Sequence, residues 1–345
     1  MINQFINLLS LPGIILFMLK AFWVQQRFIK KQLDPLIDDI QKAQDAGLTS
    51  REIKKIRRYY GFAVPAILGE GFGILRDKSL TKKERLALTY LGASTGLYDD
   101  FFDDLNTSEN HIRELTTNPA EKIAQNSSEL LFVRCYKNAI DNAPDPNLLK
   151  QRALEVFEAQ VLSKKQKDST ISQKEIRSIT YLKGGVSLLF YRSVLDRDAQ
   201  KGEEDMLYAL GQLMQLENDV FDVYKDRQHN ISTLVTIERS IANLRKTYHE
   251  LMNETFILLG QTDFRPKNKR FFMRFICLII YRGLVCLDCL ERNEKLSNNR
   301  FSVRDYSRKQ LICDMEKFKQ LVKLIKHFSN CETSILSTAS RVKKQ

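Results

Sequence analysis

The stretch Leu91-Gly92-Ala93-Ser94-Thr95-Gly96-Leu97-Tyr98-Asp99-Asp100-Phe101-Phe102-Asp103-Asp104 decides the fold. Leu86, Tyr90, Ala93 and Leu97 recur at intervals of three and four, the period of a helix. On a helix Asp99 and Asp103 share a face, as do Asp100 and Asp104, each pair roughly 6 Å apart along the axis. Like charges so placed destabilise a helix unless a cation lies between them. Oxygen-only ligands select a hard cation such as Mg²⁺, which takes one or two carboxylates and leaves its other positions to water and phosphate. The segment therefore predicts a metal clamp for a phosphorylated substrate. A solvated acidic patch at a helix end is the plainer alternative, and the apolar flank with Phe101 and Phe102 among the acids argues against it.

A second acidic group follows in Gln212-Leu213-Met214-Gln215-Leu216-Glu217-Asn218-Asp219-Val220-Phe221-Asp222-Val223-Tyr224-Lys225-Asp226. Asn218, Asp222 and Asp226 recur every four positions and form one stripe over about two helical turns, with Asp219 beside it. An amide oxygen and carboxylates in line can chelate another hard cation. An ordinary polar helix face has the same spacing.

On these two motifs the chain resembles the class I isoprenoid (terpenoid) synthases: trans-prenyl diphosphate synthases, squalene and phytoene synthases, and class I terpene cyclases. Asp99-Asp100-Phe101-Phe102-Asp103 matches the DDxxD motif of that superfamily. Asn218-Asp219-Val220-Phe221-Asp222 resembles the NDxxD form of head-to-head synthases. The segment also fits the cyclase triad ND-x-x-(S/T)-x-x-x-E, with Asp222 in place of the hydroxyl residue and Asp226 in place of the glutamate. The resemblance spans roughly residues 35 to 330. It implies a helical bundle around a central apolar cavity, and several Mg²⁺ ions, or Mn²⁺, held by Asp99, Asp100, Asp103, Asp104, Asn218, Asp219, Asp222 and Asp226. The implied substrate is a prenyl diphosphate.

Between the motifs, Tyr181-Leu182-Lys183-Gly184-Gly185-Val186 lies in an otherwise helical stretch. Each glycine costs a helix roughly 1 kcal/mol relative to alanine, so either a helix break near a ligand or close helix packing should compensate. Lys183 resembles the diphosphate-binding lysine of the K-T-x-x-L segment of prenyl synthases. Arg227 and then Arg177 are further candidates for binding diphosphate.

Composition sets the frame. The chain has 345 residues and no linker, Ser/Gly tract or repeat that would divide it. Apolar periods of three and four, as at Phe272, Phe275, Ile276, Ile279 and Ile280, recur between the few prolines, and strand-like alternation is absent. The prediction is an all-α protein of about ten to twelve helices. Six scattered cysteines predict buried packing in a reducing, cytoplasmic setting. The four histidines form no zinc pattern with them. A net charge of +12 is spread along the chain without a nucleic-acid motif, which favours an anionic diphosphate or membrane surface over nucleic acid.

Residues 1–34 form an apolar segment with Arg27, Lys30 and Lys31 at its end. Pro12 and Lys20 interrupt it, which argues against a signal peptide. It reads either as an interfacial helix in peripheral contact with a membrane or as a helix packed on the body. Residues 331–345 read as a polar tail. Self-association into a homo-oligomer is compatible with the chain.

The expected chemistry is metal-assisted ionisation of an allylic diphosphate, with Asp99, Asp100, Asp103, Lys183 and Arg227 taking part. The cation then collapses to a terpene hydrocarbon or alcohol inside a water-free cavity. A prenyltransferase, either elongating with isopentenyl diphosphate or coupling two chains head to head, is the alternative. Elongation calls for a Gly-Gly-Lys-x-x-Arg-like segment, and only Lys54-Lys55-Ile56-Arg57-Arg58 stands near that place. A non-catalytic helical binding protein is a third class, which the two acid clusters disfavour.

Overall fold

The computed structural model describes residues 2–42, 47–103, 107–196 and 198–336. They are helical throughout, with no strand among them, as the periodicity predicts. We number the helices α1 (Ile2–Gln32), α2 (Asp34–Gln41), α3 (the helical run 50–76), α4 (Lys82–Asp103), α5 (Glu109–Thr117), α6 (Ser127–Asn142), α7 (Pro146–Ser163), α8 (Gln173–Arg192), α9 (Glu203–Gln228), α10 (Ile241–Gln261), α11 (Pro266–Leu296) and α12 (Phe318–Ser329).

The chain divides into two compact units. The first comprises Gly13–Glu158 and Leu189–Asp198. Its centre is α4 against α6. Leu88, Leu91, Ala93, Leu97 and Phe101 of α4 are buried, as are Leu131, Phe132, Cys135 and Tyr136 of α6. Phe101 and Phe102 take part in an aromatic cluster. Phe101 meets Phe132 edge-on at 5.5 Å between centroids, Tyr98 stacks on Phe132 at 5.5 Å, and Phe102 lies 5.9 Å from Phe157. The phenylalanines of the first motif thus have packing partners that fix the end of α4.

The run α3 is unusual in containing two π-helical stretches, Ile56–Tyr60 and Val64–Gly69, around Gly61 and Pro65. Proline cannot donate to an α-helical ladder, and a π turn absorbs the resulting change in register. Such a turn re-aims the side chains on it, here Tyr60, and Lys55 stands immediately before it. The small residues before the first motif accept this approach. A Cβ on Gly92 would collide with the Tyr60 carbonyl oxygen, and one on Gly96 would lie 2.9 Å from the Tyr60 ring.

The second unit comprises the residues through Pro12, Ala159–Leu188 and Ala199 onward. Its core is α11, almost wholly buried along one side by Phe272, Phe275, Ile276, Ile280, Leu284 and Leu287, with α9, α10 and α12 packed on it. Asp288 of α11 ties this packing together. It accepts from Arg245 of α10 at 2.9 Å and lies 3.0 Å from the His327 ring nitrogen of α12. All six cysteines are free and buried, in keeping with a packing role.

No break occurs at Gly184-Gly185; α8 runs through them. Close packing is the compensation instead. A Cβ on Gly184 would strike the Gly211 carbonyl of α9, and one on Gly185 would strike the Tyr208 ring. Gly92→Ala and Gly184→Ala should each lower stability by about 1–3 kcal/mol in urea unfolding, because backbone must shift to admit the methyl. Gly13→Ala, whose Cβ meets nothing within 4 Å, should instead gain up to about 1 kcal/mol.

Candidate functional site

Each unit carries one acidic group. In the first unit, Asp99 and Asp100 stand half-buried near the end of α4. Asp103 closes that helix, and Asp104 lies outside the described residues. The like charges are met by groups from α3. Lys55 Nζ donates to Asp100 Oδ1 at 2.7 Å and to the Gly96 carbonyl at 3.3 Å, and the Tyr60 hydroxyl donates to Asp99 Oδ2 at 2.8 Å. Lys55 also lies 5.5 Å from the centroid of the Tyr60 ring. One turn earlier on α4, Thr95 accepts from the Tyr191 hydroxyl at 2.9 Å.

Charge and burial act on these groups together. The Asp99 carboxylate, followed by burial, holds the Tyr60 phenol far above its ordinary range, so it remains a donor. Burial raises Asp100 despite the opposing hydrogen bond from Lys55. Sequence reasoning left Tyr60 unnoticed and saw Lys55 only as part of a basic run. The available signal was Gly92 and Gly96 on α4, which mark where another chain segment comes close.

In the second unit the acids lie on α9, and α8 supplies their partners. Asp219 is 6 % exposed and Asp226 8 %, whereas Asn218 is exposed. The inward group is therefore Asp219, Asp222 and Asp226, with Asn218 at its outer edge. Gln215 Nε2 donates to Asp219 Oδ1 at 2.9 Å, and the Thr180 hydroxyl of α8 reaches Oδ2 at 3.4 Å. Burial is the main cause that pushes Asp219 up to about 6, with the Asp222 charge adding to it. Burial, then the charges of Asp219 and Asp222, push Asp226 up to about 8. Lys183 of α8 works the other way on both.

The three basic candidates part company. Lys183 belongs to this acidic group. Arg227 Nη1 donates to the carbonyls of Val303 and Tyr306 at 2.8 and 2.6 Å, and so fastens the turn Val303–Asp305 to α9. Arg177 lines an open pocket of about 390 Å³ with Gln173, Glu238, Asn243, Lys246, Thr247 and Glu250. Beside the acids on α9, the buried Glu217 accepts from Arg282 at 3.0 Å and forms a separate ion pair.

Among the described residues no three His, Cys, Asp or Glu side chains stand as a ready-made metal cage. A magnesium ion that brings phosphate oxygens with it takes only one or two carboxylates from the protein. The carboxyl oxygens of Asp219 and Asp226, both raised by burial and by neighbouring acids, suit a hard ion of this kind, with Asp222 on the same side of α9. Asp99 and Asp100 fit it too, with Lys55 in the role of a resident cation. Compared with known proteins, the chain matches no family model, no curated protein and no solved structure.

The Lys55–Asp100 pair has a measurable consequence. Lys55→Met should destabilise the protein by about 1–2 kcal/mol, because it leaves a partly buried carboxylate uncompensated. Combining it with Asp100→Asn should recover most of that loss. A double-mutant cycle from urea melts would show additive losses if the pair were merely two surface charges.

Proposed function

We propose that the protein is a magnesium-dependent class I terpene synthase that ionises a prenyl diphosphate and converts the cation to a hydrocarbon or alcohol. The observation that carries this reading is the buried acidic group of α9 with Lys183 beside it. A hard cation bound there would draw Asp219 and Asp226, both raised by burial and by neighbouring acids, into their ionised form, and would carry diphosphate on its remaining positions.

On this reading Asp219, Asp222 and Asp226 of α9 would hold metal in their unit, and Asp99, Asp100 and Asp103 of α4 would hold metal in theirs. When bound, magnesium neutralises the departing diphosphate and lowers the barrier to breaking the carbon–oxygen bond. Lys183 adds a point charge toward the same anion. Gln215 and Thr180 fix the Asp219 carboxylate, so the group is ordered before substrate arrives. Lys55 and Tyr60 do the same for Asp100 and Asp99. The apolar cavity needed to exclude water from the cation belongs to the same proposal.

The second reading is a prenyltransferase, and the spacing of Asn218, Asp219 and Asp222 favours its head-to-head form. Lys55 is turned toward Asp100, which gives it a task other than a second, isopentenyl diphosphate pocket.

Purified protein with Mg²⁺ should release diphosphate from prenyl diphosphates of graded length, with hexane-extractable products. Asp226→Asn and Asp99→Asn should each cut turnover at least about 100-fold at unchanged folding. Longer diphosphates formed on adding isopentenyl diphosphate would establish the transferase instead. Full activity in both variants would remove these acids from the site.

A further inference from the structure

Helix α12 buries Phe328 near its end but leaves most of its apolar side in solvent. Its sequence, Phe318-Lys319-Gln320-Leu321-Val322-Lys323-Leu324-Ile325-Lys326-His327-Phe328-Ser329, has an apolar and a polar side. A surface helix ordinarily buries the apolar side. Here polar residues face α11: His327 meets Asp288 at 3.0 Å and Gln320 Nε2 reaches Cys289 Sγ at 3.2 Å. Phe318 is 80 % exposed and Val322 50 %, and Leu321 and Ile325 are exposed as well.

The start of α1 adjoins it in the same unit and has the same inversion. Asn7 is buried and donates to the carbonyls of Ser329 and Cys331 at 3.1 and 2.7 Å, while Gln4 donates to Asn330 at 2.8 Å. Phe5 and Leu9, by contrast, are each 64 % exposed. Apart from the buried Phe328, α12 and the start of α1 thus turn polar groups inward and leave apolar ones in water. Phe5, Ile6, Leu8 and Leu9 of α1 and Phe318, Leu321, Val322 and Ile325 of α12 are half of the large exposed apolar side chains of the described residues, and exposed apolar surface of that kind marks an interaction surface.

The charges identify the occupant. Neither α12 nor residues 2–12 contain an acid, while α12 carries Lys319, Lys323 and Lys326. A second copy of this surface would bring lysines against lysines. Residues 3–41 are long and apolar enough to cross a membrane by length and composition. Yet Asn7, Ile14, Ala21, Gln25 and Ile29 of α1 are buried against protein, which leaves one side for lipid.

We infer that α12 and the N-terminal end of α1 form one docking surface that lies on an anionic phospholipid bilayer, with apolar side chains in the acyl boundary and lysines at the headgroups. The surface does not depend on the reaction proposed above, and vesicle binding is read without turnover.

The test is flotation of the full chain with vesicles of equimolar phosphatidylcholine and phosphatidylglycerol, and with phosphatidylcholine alone. The protein should float with the anionic vesicles only, and alkaline carbonate should release it. Phe318→Glu with Val322→Glu should lower the bound fraction about tenfold or more. Circular dichroism and the melting curve should stay unchanged, because both residues are exposed. Leu9→Glu should weaken binding independently of the α12 pair. Unimpaired flotation of the α12 variant, equal binding to neutral vesicles, or retention through carbonate would each overturn the inference. So would a dimer in light scattering that the α12 variant dissolves, with no vesicle binding by the parent.

Discussion

Two carboxylates on one helix, Asp219 and Asp226, are buried within seven residues of each other, and they are the constraint on which the functional reading depends. A buried carboxylate loses its hydration, and a neighbour of the same sign raises the cost further. Apolar residues at those positions would stabilise α9 more cheaply. The chain instead gives Asp219 two hydrogen-bond donors and sets Lys183 close by, which fixes the group in place. The glycine contact between α8 and α9 makes this proximity achievable, since Gly184 and Gly211 let the two backbones touch.

The first acidic group solves the same problem by other means. Lys55 and Tyr60 meet Asp100 and Asp99 directly, so that end of α4 is compensated within the protein itself. The first π turn of α3 carries Tyr60, with Lys55 immediately before it, and π turns are often found at functional sites. On the proposed reading, an incoming metal would meet Lys183 near the α9 acids and would have to share or displace Lys55 at the α4 acids.

Much of the fold was legible in the sequence. Helical periods in α4 and α11 and the absence of alternation gave the all-α class, because burial of one helix face imposes that period directly. The acids were legible as groups, but their facing was not. Asn218, Asp222 and Asp226 have the tidier spacing, while burial selects Asp219 over Asn218, and burial depends on where α8 packs. Gly184-Gly185 admitted both a break and a close contact, since a glycine pair costs the helix the same in either case. Lys55 and Tyr60 were hidden because a π turn shifts helical register without a signature that periodicity can detect. The inversion of α12 was hidden for a related reason. Its amphipathic pattern predicts a polar and an apolar side, and only the position of Asp288 on α11 shows that the polar side docks.

The central claim is that the acidic group of each unit binds a hard divalent ion in the presence of diphosphate, and Mn²⁺ tests it most directly. Electron paramagnetic resonance of Mn²⁺ with inorganic pyrophosphate would report the fraction of ion immobilised by the protein, without any turnover. The account predicts immobilisation by the parent chain, with clear loss in Asp219→Asn/Asp226→Asn and, separately, in Asp99→Asn. Equal immobilisation by the parent and by both variants, or none by the parent, would contradict it.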